Sequence, residues 1–170
     1  MHVVIGSDER THLTDYVVQE LRRRDFGVQL VGPLAEAADR AACRAWPDVA
    51  QAVAESVASG RADSGILCCW TGTGVSIAAN KVPGIRAALC DDAETARGAR
   101  AWNQANVLCL SLRSATEIVA GEILDAWFST PPDPSEQENV ERLRRLDERY
   151  RPVAEAGAAV GLARGEKGTV

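Results

Sequence analysis

Seven consecutive residues, Cys68-Cys69-Trp70-Thr71-Gly72-Thr73-Gly74, bring two thiols, two hydroxyls and two glycines to one point of the chain. The glycines let the backbone turn tightly and aim amides at a ligand, and the start of the helix that follows favours an anion or oxyanion. That turn alone is weak evidence, because it lacks the lysine of a P-loop and the spacing of a dinucleotide fingerprint. The thiols are the sharper feature. Side chains alternate along a strand, so with Cys68 turned into a buried sheet, Cys69 stands at the strand's mouth. A thiol beside amides there has its thiolate favoured. The bland alternative is a cysteine acting as a small hydrophobe, which fits Cys68, Cys90 and Cys109 inside apolar runs.

The elements that must position this turn are legible in the hydrophobic pattern. Apolar runs at Val3–Gly6, Gly27–Val31, Ser64–Cys68, Ile85–Cys90 and Val107–Ser111 alternate with helical spacing over 13–24, 47–59, 74–81 and 92–102. The runs are continuously apolar, as in strands buried on both faces of a parallel sheet. The expectation is an α/β fold: a doubly wound, three-layer, Rossmann-like sandwich with a five-stranded parallel sheet. Ligands of such sheets bind beyond the carboxyl ends of the strands, which directs attention to 7–11, 69–74, 91–92 and 111–113. Pro47 suits a first helical position and Asp91 or Asp92 a helix cap. Ser114-x-x-Glu117 has capping-box spacing, and Asp133-Pro134-Ser135-Glu136 opens a charged helix through about Arg151. Asn80 and Lys81 read as structural ties, and Asn103 can be read as shaping the turn into the last strand.

Boundaries follow: an α/β domain over 1–130, a C-terminal helix over 131–154, and a loose tail over 155–170. The helix has few apolar positions, mainly Val140, Leu143, Leu146 and Tyr150. It therefore either packs on a partner subunit or is a solvated tail helix. Length and composition set the outer limits. The 170 residues are 46% hydrophobic and 25% charged with a net charge of -5, so a globular chain is expected, without an electrostatic footprint for nucleic acid or anionic membrane. No apolar run reaches the roughly 20 residues of a membrane span, and the first residues read as a strand rather than a signal peptide. The expectation is a cytoplasmic protein. An odd count of cysteines without a C-x-x-C pair, and two distant histidines, give no expected metal site.

The stretch from Gly65 to Leu89, with its Ile77-Ala78-Ala79-Asn80-Lys81-Val82-Pro83-Gly84 core, resembles ribose-5-phosphate isomerase B and its galactose-6-phosphate isomerase relatives. Ile5-Gly6-Ser7-Asp8, Trp46-Pro47-Asp48, Asn103-Gln104-Ala105-Asn106 and Arg113 extend the likeness over about residues 1–130. The resemblance implies cofactor-independent isomerisation of aldose and ketose phosphates through a cis-enediolate. It also implies a homodimer or a dimer of dimers whose active sites take residues from both subunits. In one branch of the family the base is a cysteine after the third strand, which falls on Cys69; the glutamate of the other branch falls on Val75. Thr71 matches a hydroxyl that steadies the reacting oxygens, Asp8 and Asn103 match groups that hold sugar hydroxyls, and Arg113 matches a phosphate ligand. The amides of Gly72, Thr73 and Gly74 would hold the enediolate.

Departures from the family pattern bear on the substrate. Glu9 and Arg10 replace the histidine-containing sequence after the aspartate, Trp70 replaces a glycine after the cysteine, and Trp46 replaces a tyrosine. Trp102 stands where the family carries the histidine that opens the furanose ring, and an indole neither accepts a proton nor titrates near neutrality. The family's C-terminal arginines align either with the Glu138 region, and are lost, or, after a gap, with Arg142-Leu143-Arg144-Arg145, placing Arg144 at the substrate. The resulting expectation is a sugar-phosphate isomerase with a non-standard, open-chain substrate such as a tetrulose phosphate. An isomerase of a non-phosphorylated sugar, or a non-catalytic sugar-binding paralogue closed by its tryptophans, stays open at this stage.

Overall fold

The computed structural model describes residues 1–36 and 45–150; Cys43, the far end of the C-terminal helix and the 155–170 tail lie outside them. Strands β1 (His2–Ser7), β2 (Gly27–Val31), β3 (Ser64–Cys69), β4 (Ala87–Leu89) and β5 (Val107–Ser111) alternate with helices α1 (His12–Arg23), α2 (Trp46–Ala58), α3 (Thr73–Ala79), α4 (Ala93–Asn103) and α5 (Glu117–Ser129). The strands form one parallel sheet in the order β2-β1-β3-β5-β4. Each apolar run of the sequence forms a strand of this α/β sandwich.

Alternation along the buried strands divides the core between the two faces. Val3, Ile5, Ile66, Cys68, Leu108 and Leu110 pack with residues of α1, α4 and α5. Val4, Leu67, Cys69, Val107 and Cys109 pack with α2 and α3. A fully buried Val, Leu or Ile is worth about 1.5–3 kcal/mol, against about 1 kcal/mol for a good helix cap. The double core therefore fixes the sheet, and the caps trim its helices.

Several local expectations shift by a few residues. Strand β4 is shorter than its apolar run because a turn over 81–84 ends at Gly84, φ 83, and the Asn106 side chain bonds Arg86 N and Gly84 O ahead of the strand. Asp92 caps α4 through Thr95 N at 2.7 Å. Helix α5 is capped by Thr116, whose Oγ1 accepts from Val119 N, and not by Ser114. Ser114 N instead donates to Ser111 Oγ in the turn after β5, which delays the helix. Pro47 is the second residue of α2, one place later than expected.

The C-terminal helix, α6 (Gln137–Tyr150), follows a short turn capped by Asp133. It docks on its own chain more than its sparse apolar positions foretell: Val140 is buried, and Asp147 accepts from Gly84 N at 2.9 Å. Leu143, Leu146 and Tyr150 stay exposed. Among the described residues no helix is long and apolar enough to cross a membrane.

Candidate active site

From β1 the chain turns outward to β2, whereas β3 lies on the other side of β1, so the carboxyl ends of β1 and β3 form a topological switch point. Ser7 pairs with Cys68 at that edge, and the next residues of both strands project beyond it. There Asp8, Trp46, Cys69, Trp70, Thr71 and Gly74 line a cleft of about 330 Å³. Another hollow, of about 340 Å³, lies between Arg10, Asp15, Arg22 and Glu36 but offers no nucleophile.

Cys69 ends β3 on the face opposite Cys68, and it is more enclosed than a rim residue, at 6% exposure. Its carbonyl accepts from Gly72 N at 3.2 Å and Leu112 N at 3.0 Å. The next carbonyl, of Trp70, accepts from Arg113 N and Ser111 Oγ, both at 3.0 Å. The end of β5 thus pins the end of β3, and the thiol's backbone is fixed from two sides. Burial pushes the thiols of Cys68 and Cys90 up to about 12 and that of Cys109 up as well, so these stay protonated at neutral pH.

Two glycines give the turn its shape. Gly72 sits at φ 73, and a Cβ there would stand 2.4 Å from Leu89 Cδ1 and 3.1 Å from the Leu110 carbonyl. At Gly74 a Cβ would lie 3.2 Å from the Trp46 ring, so the indole lies flush on the start of α3. Thr73 donates to Thr71 Oγ1 at 2.6 Å, which orients the Thr71 hydroxyl.

Asp8 is the electrostatic anomaly. Its Oδ1 is buried with no hydrogen-bond partner. Burial is the main cause that raises its pKa, the charge of Glu9 adds to it, and a backbone hydrogen bond opposes both. A buried acceptor without a partner costs about 1–3 kcal/mol. A hydroxyl entering the cleft would relieve that cost.

The remaining sequence-predicted site residues divide into neighbours and strangers of this cleft. Arg113 is exposed, tethered to Trp70 by its backbone, and its guanidinium has no hydrogen-bond or ion-pair partner among the described residues. Glu9 is exposed, and Arg10 is paired with Asp15 at 2.8 Å beside the other hollow. Trp102 is exposed over Gly98, and Asn103 lines a separate cleft with Arg86, Leu143 and Asp147. Arg144 pairs with Glu141 and shares a groove with Arg86 and Asp147. Asn103 and the Arg86 loop precede β5 and β4, so they lie at the amino edge of the sheet, a strand length of about 17 Å from the Cys69 edge.

Trp46, which the sequence offers only as a replacement for a family tyrosine and as one of the tryptophans that would close the pocket, lines the cleft directly. Sequence reasoning left out Arg86, whose Nε donates to the Asn103 and Gln104 carbonyls and so positions that segment. Asn80 is the predicted tie, bonding Ser76 O and both backbone atoms of Ala87. Among the described residues, no group of three or more His, Cys, Asp and Glu side chains is placed to hold a metal ion.

Comparison with known proteins places this geometry. The ribose/galactose isomerase family model matches residues 3–146. A D-erythrulose-4-phosphate isomerase of Pectobacterium atrosepticum is 36% identical over 136 residues, covering 75% of this chain and 82% of its own length. A Bacillus subtilis protein with a sugar phosphate isomerase name is 47% identical over 85 residues, which is 50% of this chain and 57% of that one. The structure of Clostridium thermocellum ribose-5-phosphate isomerase B superposes with a TM-score of 0.80 at 35% identity, covering 88% of this chain and 99% of that one. With a family match running from the first strand into the last helix, this chain is an isomerase of the ribose/galactose isomerase family.

Proposed function

We propose that this isomerase interconverts a ketose phosphate and an aldose phosphate that stay open-chain, four-carbon substrates foremost, with Cys69 as the base. The observation that carries the reading is the meeting of Cys69, Thr71 and the unpartnered Asp8 carboxyl oxygen in one cleft. The Cys69 thiolate takes the proton from the carbon beside the carbonyl, and the electron pair of that C–H bond passes into the enediolate. The thiol then returns the proton to the former carbonyl carbon while the hydroxyl proton passes from one enediolate oxygen to the other, so the carbonyl has moved by one position and nothing is consumed. The Thr71 hydroxyl, oriented by Thr73, and the turn amides of Thr73 and Gly74 hold the two reacting oxygens, whereas the Gly72 amide is already spent on the Cys69 carbonyl. Asp8 accepts from a substrate hydroxyl, and Arg113 supplies a forked donor for the phosphate.

The choice of substrate rests on Trp102. A four-carbon sugar carrying phosphate on its terminal oxygen has no hydroxyl left to close a five-membered ring, so it needs no acid–base group to open one. The erythrulose phosphate named for the Pectobacterium relative has this chemistry. Asn103 and Arg144 face the amino edge of the sheet, so they reach a Cys69 cleft only from a second copy, which supports the two-subunit site implied by the family resemblance.

The test compares a tetrulose 4-phosphate with ribose 5-phosphate, which is largely cyclic. The four-carbon substrate should turn over well and ribose 5-phosphate poorly. Trp102→His should raise turnover of ribose 5-phosphate by at least about tenfold, since a placed acid–base group contributes roughly 10²–10⁴. Equal turnover of both substrates by the unmodified enzyme would contradict the reading.

A further inference from the structure

The geometry points to Trp46 and Trp70 as an aromatic gauge that limits substrate length in the Cys69 cleft; this rests on the isomerase reading above. The missing ring-opening group excludes cyclic sugars by chemistry. The two indoles would exclude longer sugars by size, which is a separate restriction.

Both tryptophans line the cleft beside Cys69, and they are held in different ways. The Trp46 indole packs on Gly74, within 3.2 Å of where a Cβ would stand, and is 42% exposed on its other side, so it forms one wall of the cleft. Trp70 is held at its backbone, where its carbonyl accepts from Arg113 N and Ser111 Oγ, while its side chain stays largely free at 59% exposure. Nothing in the core requires an indole at position 70, and its burial contributes little to the fold. Its place in the chain does bear on the substrate. It follows the base directly, and its carbonyl accepts from the backbone amide of Arg113. The ring shares the cleft with Cys69, and with Trp46 it bounds the space left for carbons beyond the reacting pair. A substrate one carbon longer has to displace the Trp70 indole or misplace its reacting carbons. In a tight pocket a group of that size changes discrimination by about 10–200-fold.

A ketopentose 5-phosphate isolates the size restriction. Its terminal oxygen is phosphorylated, so it cannot close a five-membered ring onto its carbonyl and needs no ring opening. Turnover of this compound and of a tetrulose 4-phosphate should be compared in the ketose-to-aldose direction, for the intact enzyme, Trp70→Gly, Trp70→Ala and Trp46→Phe. The intact enzyme should favour the four-carbon substrate in kcat/KM by at least about tenfold. Trp70→Gly and Trp70→Ala should cut that preference about tenfold or more, chiefly by improving the five-carbon reaction, with thermal unfolding close to that of the intact protein. Trp46→Phe should move the preference in the same direction by less. Equal kcat/KM for both substrates in the intact enzyme, or a preference unchanged in both Trp70 variants, would overturn the gauge while leaving the isomerase reading standing. Absence of turnover with either substrate would overturn both.

Discussion

Surroundings separate the described cysteines, all of them buried, by what they can do. Cys68, Cys90 and Cys109 lie within the core with their thiols pushed up, whereas Cys69 borders a cleft that also holds an unpartnered carboxyl oxygen. The type and place of Cys69 were legible in the sequence, because a strand-end residue next to a glycine turn reads from spacing alone. The state of Asp8 was not, because an unsatisfied oxygen arises from packing between segments far apart in the chain. Asp8 has a raised pKa, so ionising it costs the folded protein, and stability falls as pH rises through that raised value. Asp8→Asn should therefore unfold at a slightly higher temperature than the intact protein at pH 7. The advantage should vanish below about pH 4, where aspartate is protonated in both states. The same variant should lose roughly tenfold or more in kcat/KM, the worth of a hydrogen bond to a charged group. Calorimetry and turnover on the same samples check both halves, and a variant that is less stable at neutral pH would refute the assignment.

At the scale of elements, the apolar runs foretold all the strands and most of the helices, because strands buried on both faces carry a continuous signal. Edges were harder. Strand β4 gives up the start of its run to the segment held by Asn106, and α5 starts after its Thr116 cap, since Ser111 captures the Ser114 amide. The order β5-β4 at the sheet's edge is a matter of long-range pairing that local pattern does not encode. The turn into α3 is the element on which the site depends most. Gly72→Ala would place a methyl in the left-handed region, at about 1–2 kcal/mol, and drive it into Leu89 and Leu110. The prediction is a loss of more than about 2 kcal/mol in urea unfolding with an unchanged m-value, accompanied by loss of activity. A neutral effect would mean that the turn can relax without its glycine.

For the whole molecule, the decisive geometry is the separation of the family-matched residues between two edges of one sheet. Cys69, Asp8 and Thr71 stand at the carboxyl edge, and Asn103 and Arg144 stand towards the amino edge. One copy cannot bring them together, and no sequence pattern reveals which edge meets which in a second copy. The account predicts complementation. Cys69→Ser and Asn103→Ala, each inactive alone, should regain roughly a quarter of full activity when co-expressed, because half the dimers are mixed and each mixed dimer has one intact site. Activity that stays at the level of the separate variants would place the whole site within one chain. The central claim, that Cys69 moves a carbon-bound proton, is tested most directly by NMR of deuterium uptake from heavy water into a tetrulose 4-phosphate. The intact enzyme should exchange the hydrogen beside the carbonyl, and Cys69→Ser, folded and equally able to bind the sugar phosphate, should reduce that exchange by at least about a hundredfold. Exchange that persists at the intact rate in Cys69→Ser would contradict the account and assign the base to another group.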